Sequence, residues 1–204
     1  MARVASIARI GGHIALDFAN TAGWHASDEQ SEHLSSYVEW LAWVRKSGLL
    51  PPARVAELEA EGARHPARAA RALTQVIELR ELVYRVFAAI ARDRAPSAAD
   101  LSRLHRACIA ALGAAEPHWE RGQLSLHWPH PQADLLGPVN PLMLAAGELL
   151  NSASLARLRQ CGNDPCGWLF LDQSKNGSRR WCSSAECGNA ARVRRFRARQ
   201  AGDA

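Results

Sequence analysis

The segments Cys161-Gly-Asn-Asp-Pro-Cys166 and Cys182-Ser-Ser-Ala-Glu-Cys187 decide the fold of the C-terminal part of this 204-residue chain. Each segment places four residues between two cysteines, and 15 residues separate the two segments. Two such pairs can bring four thiolates into a tetrahedron, the coordination that zinc prefers. The spacing therefore predicts a zinc site whose ligands are Cys161, Cys166, Cys182 and Cys187.

Two disulfides are the alternative interpretation of these cysteines. Disulfides form in oxidising compartments, whereas this sequence carries no secretory signal, and the fifth cysteine, Cys108, has no obvious partner. No apolar run approaches the roughly 18 residues that a membrane-spanning helix needs. We therefore expect a cytoplasmic, soluble protein with no membrane partner, and we favour metal binding over disulfides.

Positive charge is concentrated near the C-terminus. Residues 155–204 contain ten basic and four acidic residues, a net charge of +6, whereas the first 154 residues have a net charge of −1. A local excess of this size favours a polyanionic partner.

Helical periodicity dominates the N-terminal part. Gly48 is placed to end a first helix, Pro51 and Pro52 to start a second, and Ser97 to cap a fourth. Segment 11–21 reads as a short strand or the opening of a helix. Helices are predicted over 33–46, from 52, over 67–92, from 97 and over 141–151, with the following residues inward: Leu34, Val38, Leu41, Val44, Val55, Leu58, Leu73, Val76, Ile77, Leu79, Leu82, Val83, Val86, Phe87, Ile90, Leu101, Leu104, Cys108 and Leu112.

Segment 118–128 alternates apolar and polar residues around Arg121-Gly122, which is typical of a β-hairpin. The chain is therefore predicted to be α+β, with a mainly helical N-terminal domain (residues 1–154) that contains a short β-hairpin. A small zinc-binding domain (residues 155–204) follows it.

The elements of the C-terminal domain follow from its turn residues. The first cysteine segment reads as a zinc knuckle rich in glycine, asparagine and proline. Segments 168–172 and 179–181 are predicted to pair as a hairpin across an Asn-Gly turn, and Ser183 or Ser184 to cap a helix that carries Cys187 in its first turn. Knuckle, hairpin and helix in this order describe a treble-clef zinc finger.

Residues 161–199 resemble the CGNR zinc finger. The resemblance lies in Cys166-Gly-Trp-Leu-Phe-Leu-Asp172, in Arg179-Arg-Trp-Cys182 and in Cys187-Gly-Asn189, followed by Arg192-Val-Arg-Arg-Phe-Arg-Ala-Arg199. In that family an N-terminal ABATE domain usually precedes the finger, and Leu16-Asp17-Phe18-Ala19-Asn20-Thr21 is similar to the start of such domains. The arginine that gives the motif its last letter is replaced here by Ala190.

This resemblance implies a bacterial, stress-linked transcription regulator. It would bind DNA through the finger and an unknown small molecule through the N-terminal domain, and it could act as a homodimer. His13, Asp17 and Asn20 are the candidate ligand-binding residues. His25 and His33 could join them, but their spacing matches no ligand motif, and a structural role is the alternative.

The last helix supports nucleic-acid binding independently of the resemblance. Val193 and Phe196 form one apolar edge, which we expect to pack on the hairpin near Trp168 or Trp181. Five arginines within eight positions flank this edge and would face solvent; with the two arginines of the hairpin, the candidate nucleic-acid contacts are Arg179, Arg180, Arg192, Arg194, Arg195, Arg197 and Arg199.

Other functions remain as alternatives. The same arginines could bind RNA or an acidic protein, and a basic helix with no specific partner is a further possibility. A treble-clef nuclease is disfavoured because the predicted finger contains no histidine. A closed site of four cysteines also leaves no coordination position for a catalytic water. We therefore predict no catalytic residues and no enzymatic activity.

Overall fold

The computed structural model describes residues 7–28, 30–129 and 134–202. Six helices build the N-terminal part of the described chain. They are α1 (Ile14–Ala19), α2 (Tyr37–Ser47), α3 (Pro52–Arg64), α4 (Pro66–Ala91), α5 (Ala98–Gly113) and α6 (Val139–Leu150). A 3-10 turn, Ala153–Arg157, leads from α6 into the C-terminal part.

The predicted helix signals are confirmed by the backbone. The Ser97 side chain accepts the N–H of Asp100 at the start of α5, and Gly48 ends α2 in the left-handed region with a φ of +71°. Segment 11–21 forms the short helix α1, which His13 caps by accepting the N–H of Ala15.

Helix α4 lies at the centre of the N-terminal core and contacts α1, α2, α3 and α5. Phe18 of α1 packs against Trp40 and Trp43 of α2, with ring centroids 5.6 and 5.7 Å apart. The predictions that Val38, Leu101 and Leu112 lie inward are wrong, since these residues are 67%, 41% and 53% exposed. Helix α2 turns its Trp40 and Trp43 face to the core, and Val38 lies off that face. Leu101 and Leu112 lie beside the face of α5 that buries Leu104 and Ala111.

Three antiparallel two-stranded sheets accompany the helices. They are β1 (Ala22–Gly23) with β2 (Ser31–Glu32), β3 (Glu116–Glu120) with β4 (Gln123–His127), and β5 (Leu158–Gln160) with β6 (Leu169–Leu171). The hairpin of β3 and β4 turns at Arg121-Gly122, where both residues have positive φ, and the predicted hairpin is thereby confirmed.

The predicted pairing of 168–172 with 179–181 is wrong. One edge of β6 pairs with β5, with Phe170 opposite Arg159. On the other edge, the N–H of Leu171 donates to the carbonyl of Gly11 at 2.9 Å, and the N–H of Leu169 donates to the side chain of Asn20 at 2.9 Å. Because both edges are occupied, residues 179–181 have no strand to pair with.

Strand β6 belongs to two apolar clusters at once. Leu169 and Leu171 are buried in the large core of the N-terminal helices, together with Leu158 of β5. Phe170 is fully buried on the opposite face and packs with Cys161 and Cys182. The molecule is therefore α+β, as predicted, and β6 joins the cysteine-rich part to the helical part. The division of the chain at residue 154 stays a prediction.

The last elements are a π-helical turn, Ser184–Gly188, and helix α7 (Asn189–Gly202). Within the described ranges, no helix combines the length and the apolar character that crossing a membrane requires.

Candidate metal centre and nucleic-acid interface

The first two cysteines are positioned by the turn that connects β5 to β6. The N–H of Cys161 donates to the carbonyl of Trp168 at 2.8 Å, and the N–H of Cys166 donates to the carbonyl of Asn163 at 2.8 Å. These bonds close the predicted knuckle and turn both thiols to the same side.

Gly167 fixes the knuckle against the N-terminal helices. Its φ is +69°, and a Cβ at this position would lie 2.8 Å from the backbone nitrogen of Ala26 and 2.9 Å from the Tyr84 hydroxyl, so that only glycine fits. The Tyr84 hydroxyl, on α4, donates to the Gly167 carbonyl at 3.1 Å. Burial raises the pKa of Tyr84 to about 12, so the hydroxyl stays protonated and remains a donor.

The second pair of cysteines is positioned by the chain that follows Asp172. This buried carboxylate accepts the N–H groups of Ser174 and Arg179, both at 2.9 Å, and so holds the loop that leads to Cys182. Ser183 then caps the π-helical turn by accepting the N–H of Glu186 at 3.2 Å, as the sequence predicted for this serine pair. Cys187 lies within that turn.

Trp181 lies between Gly162 of the first cysteine segment and Gly188, which directly follows the second segment. A Cβ on Gly162 would come within 3.2 Å of the Trp181 ring, and a Cβ on Gly188 would come within 3.0 Å of it. The N–H of Gly162 also donates to the Arg180 carbonyl at 2.8 Å. The Trp181 ring therefore sets the distance between the knuckle and the π-helical turn.

The four sulfur atoms meet in one cluster. The Sγ atoms of Cys161, Cys166, Cys182 and Cys187 all lie within 4.8 Å of one another, and Cys182 Sγ lies 3.6 Å from Cys166 Sγ and 3.5 Å from Cys187 Sγ. A tetrahedral zinc with bonds of about 2.3 Å would separate its sulfurs by about 3.8 Å. All five cysteines of the chain are free, so the disulfide alternative is not adopted.

The electrostatics of the cluster favour a bound cation. Hydrogen bonds from the thiols of Cys166 and Cys182 lower the pKa of Cys161, whereas the same contact with Cys161 raises the pKa of Cys166 and of Cys182. Four thiols at this distance cannot all ionise unless a positive charge lies between them. The donor set and spacing fit a zinc ion, which would be held by the four thiolates and would link the knuckle to the π-helical turn.

N–H donors surround the sulfurs, as is usual around thiolate ligands. The backbone N–H of Cys182 points to Cys161 Sγ at 3.4 Å, and the side-chain amide of Asn163 points to Cys187 Sγ at 3.5 Å. Asn163 was missed by sequence analysis. Its place inside the first cysteine segment was the available signal.

Arg179 differs from the other arginines predicted to contact nucleic acid. Its guanidinium lies 4.2 Å from the centroid of the Phe170 ring and donates to the carbonyls of Trp181 and Cys182. These contacts occupy its donors inside the finger. Arg180 is exposed and lies beside the Trp181 ring.

Helix α7 carries the remaining predicted arginines on its exposed surface. Arg192 donates to the Ser184 carbonyl at 3.4 Å, and Arg194 donates to Asn163 Oδ1 at 2.5 Å, which ties the start of the helix to the metal centre. Among the described residues, no arginine of α7 forms an ion pair with a carboxylate; all five are exposed: Arg192, Arg194, Arg195, Arg197 and Arg199.

The predicted packing of Val193 and Phe196 on the finger is wrong. Val193 is 39% exposed and Phe196 is 62% exposed. The predicted hairpin of 168–172 and 179–181, on which they would pack, does not form. Gly162 and Gly188 lie against the ring of Trp181 instead. Helix α7 therefore presents apolar side chains as well as arginines to solvent.

The candidate ligand residues of the N-terminal part divide into two groups. His13 and Asp17 line one surface cavity of about 550 Å³, near Arg9. Burial lowers the pKa of His13 and raises the pKa of Asp17, whose Oδ1 accepts the N–H of Gly11. Asn20 lies elsewhere, fully buried, with its amide bonded to both backbone groups of Leu169.

His25 and His33 do not join that cavity either. His25 stacks on Tyr84, with ring centroids 3.7 Å apart, and contacts Glu81 at 3.2 Å. His33 lines a different cavity, beside the cysteine cluster.

A four-cysteine cluster followed by an arginine-bearing helix defines a zinc-finger protein with a helical N-terminal domain. Family models identify both parts: residues 157–200 match the CGNR zinc finger, and residues 12–153 match ABATE, described as a putative stress-induced transcription regulator. The chain belongs to the ABATE family and carries a CGNR zinc finger after the ABATE domain, in the predicted order. No curated protein matches it.

Proposed function

We propose that this protein is a zinc-dependent, DNA-binding transcription regulator. The proposal rests on helix α7, which begins directly after the cysteine cluster. Its five arginines are exposed and have no carboxylate partner among the described residues. Like charges this close repel one another unless an anion binds, so phosphates are the natural partners.

In this mechanism, a zinc ion held by the four cysteines would fix the direction of α7. Cys187 lies in the π-helical turn that directly precedes the helix, and Arg194 is held by Asn163 of the knuckle. The four cysteines would join these segments through the metal, so loss of zinc would free the start of α7. Arg180 and the α7 arginines are the proposed DNA contacts. Arg179 is not among them, because its guanidinium donates to backbone carbonyls inside the finger, and we propose a structural role for it.

The test compares two triple variants that remove equal charge. One replaces Arg195, Arg197 and Arg199 by alanine, and the control replaces Arg71, Arg94 and Arg103, which are exposed in the N-terminal part. Fluorescence anisotropy with a labelled duplex would give the slope of log affinity against log salt. We expect about −4 for the wild type and the control, and a slope smaller in magnitude by about 3 for the α7 variant.

Equal slopes for the two triple variants would contradict the proposal, because the contacts would then depend on overall charge alone. Circular dichroism of each variant checks that the helix content is unchanged.

RNA is the second candidate partner, and the exposure of Phe196 favours it. An aromatic ring that is 62% exposed among arginines can stack on an unpaired base. Genomic immunoprecipitation of the tagged protein separates the two: discrete peaks support DNA regulation, whereas uniform background with recovered RNA supports the alternative.

The proposal extends to the ABATE domain as a sensor. The cavity of about 550 Å³ that His13 and Asp17 line is the proposed site for its small ligand. Asn20 does not reach this cavity and has a structural role in our proposal. A cytoplasmic location, assembly as a homodimer and the absence of enzymatic activity complete the proposal. The last follows from a closed four-thiolate site, which would leave no coordination position for a reacting water.

A further inference from the structure

A second cavity, of about 310 Å³, lies between the ABATE domain and the cysteine cluster. Gly23 contributes from the end of β1 and Trp24 from the segment that follows it. Trp168 contributes from the position directly before β6, and Ala190 from the first turn of α7. The cavity is large enough for a small organic molecule.

Trp24 forms an aromatic wall under backbone strain. Its φ is +61°, a conformation that bulky residues rarely adopt, and its carbonyl is held by the N–H of Ser27 at 2.9 Å. Half of the residue, 51%, is nevertheless exposed, so burial of the indole does not account for the strained conformation. Strain of this kind is concentrated at binding sites.

Trp168 gives the cavity a second, fixed aromatic wall. Its indole N–H donates to the Ala22 carbonyl at 2.9 Å, which sets the orientation of the ring. Two indole side chains therefore line one small cavity, and the electron-rich faces of indole rings attract cations.

The remaining lining carries acidic groups. It is formed by Glu186 and by Cys166, Cys182 and Cys187, beside Asn163 and His33. With a divalent zinc bound, the four thiolates would keep a net charge of −2, which would add to the charge of the Glu186 carboxylate. None of the α7 arginines lines this cavity, although Arg194 donates to the side-chain oxygen of Asn163, which does line it.

Ala190 occupies the position at which the CGNR motif has its arginine. Because Ala190 lines the cavity, a longer side chain at this position would extend into it or across its mouth. An arginine there would bring a planar cation to the two indoles and Glu186. In this chain the methyl group leaves that space open.

We propose that this cavity binds a small organic cation with a planar amidinium or guanidinium group, which takes the place of the missing arginine side chain. The cavity shares no lining residue with the cavity of His13 and Asp17, and none of the proposed DNA contacts lines it. A ligand bound here would touch the ABATE domain, the zinc centre and the first turn of α7 together.

The test uses benzamidinium and benzamide, which have the same shape and differ in charge. Isothermal titration calorimetry on the zinc-loaded, full-length protein, without DNA, gives the two affinities. We expect benzamidinium to bind at least about tenfold more tightly than benzamide.

Three variants locate the site. Ala190→Arg fills the cavity with an internal cation and should weaken benzamidinium binding by about tenfold or more, and Glu186→Gln should weaken it by about threefold. Ala198→Arg adds the same charge to an exposed position of α7 outside the cavity and should leave the affinity unchanged within about twofold.

Several results would overturn the proposal: no binding of either compound, equal affinity for both, or affinity that Ala190→Arg leaves unchanged. An equal loss in Ala190→Arg and Ala198→Arg would also overturn it, because the effect would then come from overall charge. Since no DNA is present, none of these results bears on the proposed regulator function.

Discussion

At the scale of single residues, Asn20 shows how one side chain joins the two parts of the chain. Its amide donates to the Leu169 carbonyl at 2.8 Å and accepts the Leu169 N–H at 2.9 Å, replacing a neighbouring strand at this edge of β6. Both bonds are buried, so loss of the amide would leave two backbone groups without partners.

Asn20→Ala should therefore lower the free energy of unfolding by about 3 kcal/mol. Urea denaturation monitored by circular dichroism measures this change in the free energy of unfolding. Asn151→Ala is the matched control, because that amide makes one exposed bond, to the Gly147 carbonyl, and its loss should cost less than about 0.5 kcal/mol. Equal costs would contradict the assigned role of Asn20.

Arg80 is the other residue on which many contacts depend. It is 2% exposed, forms a two-point ion pair with Glu32 at 2.7 and 2.6 Å, and contacts Glu81 at 2.8 Å. These contacts attach β2 to α4. Burial acts to raise the pKa of both glutamates, but the bonds and charge of Arg80, with a further bond from His25 to Glu81, outweigh it and hold both pKa values below the ordinary 4.5.

Arg80→Met should lower the free energy of unfolding by about 3 kcal/mol at pH 7, because two partly buried carboxylates lose their partner. A lowered folded-state pKa adds stability above the ordinary value, and this stability is lost as pH falls through the folded pKa. The wild type should therefore lose stability below about pH 4.5 more steeply than the variant. Parallel acid profiles in urea titrations would contradict this account.

At the scale of elements, β6 is held by the N-terminal core as well as by the cysteine-rich part. Leu169 and Leu171 are buried among the helices, whereas the knuckle and the π-helical turn hold together through the thiols and Trp181. Loss of zinc should therefore affect these elements unequally.

Chelation of zinc should increase amide hydrogen exchange in 161–166 and 182–188 but leave β6 and α4 protected. Hydrogen exchange with mass spectrometry, before and after treatment with a chelator, measures this. Loss of protection across α4 would show that the helical core also depends on zinc, contrary to the contacts described.

Local patterns predicted most of the helices but not the partner of β6. The apolar spacing, Ser97 and Gly48 are short-range signals, and each acts within a few residues. Strand β6 pairs with β5, on the other side of the knuckle, and its second edge is occupied by Asn20 and Gly11, which are far away in sequence. No local pattern shows that this second edge is occupied, which leaves 179–181 without a strand to pair with. The exposure of Phe196 was missed for the same reason, since it follows from the absence of the predicted hairpin.

The metal site was predictable because its ligands come in two short segments. Cys161 and Cys166 belong to one tight turn, and Cys182 and Cys187 to the other, so the sequence alone brings each pair together. The cavity beside Ala190 was not predictable, because Trp24 reaches it from a segment more than 100 residues earlier.

At the scale of the whole molecule, the protein places a net charge of +6 on its last 50 residues and nearly balanced charge on the rest. The helical part, through β6, supports the cysteine cluster, and the cluster supports α7. This arrangement would hold an exposed helix with little packing of its own in a fixed direction, as the proposed DNA binding requires.

The most direct measurement of the central claim is fluorescence anisotropy of a labelled DNA duplex with the Cys182→Ser and Cys108→Ser variants. Cys182→Ser removes one ligand of the proposed zinc, whereas Cys108→Ser removes a half-buried thiol that bonds the Met143 carbonyl away from the cluster. We predict that the first weakens DNA binding by about tenfold or more and that the second changes it by less than about twofold. Binding of Cys182→Ser at the wild-type affinity would contradict a zinc-dependent DNA-binding function.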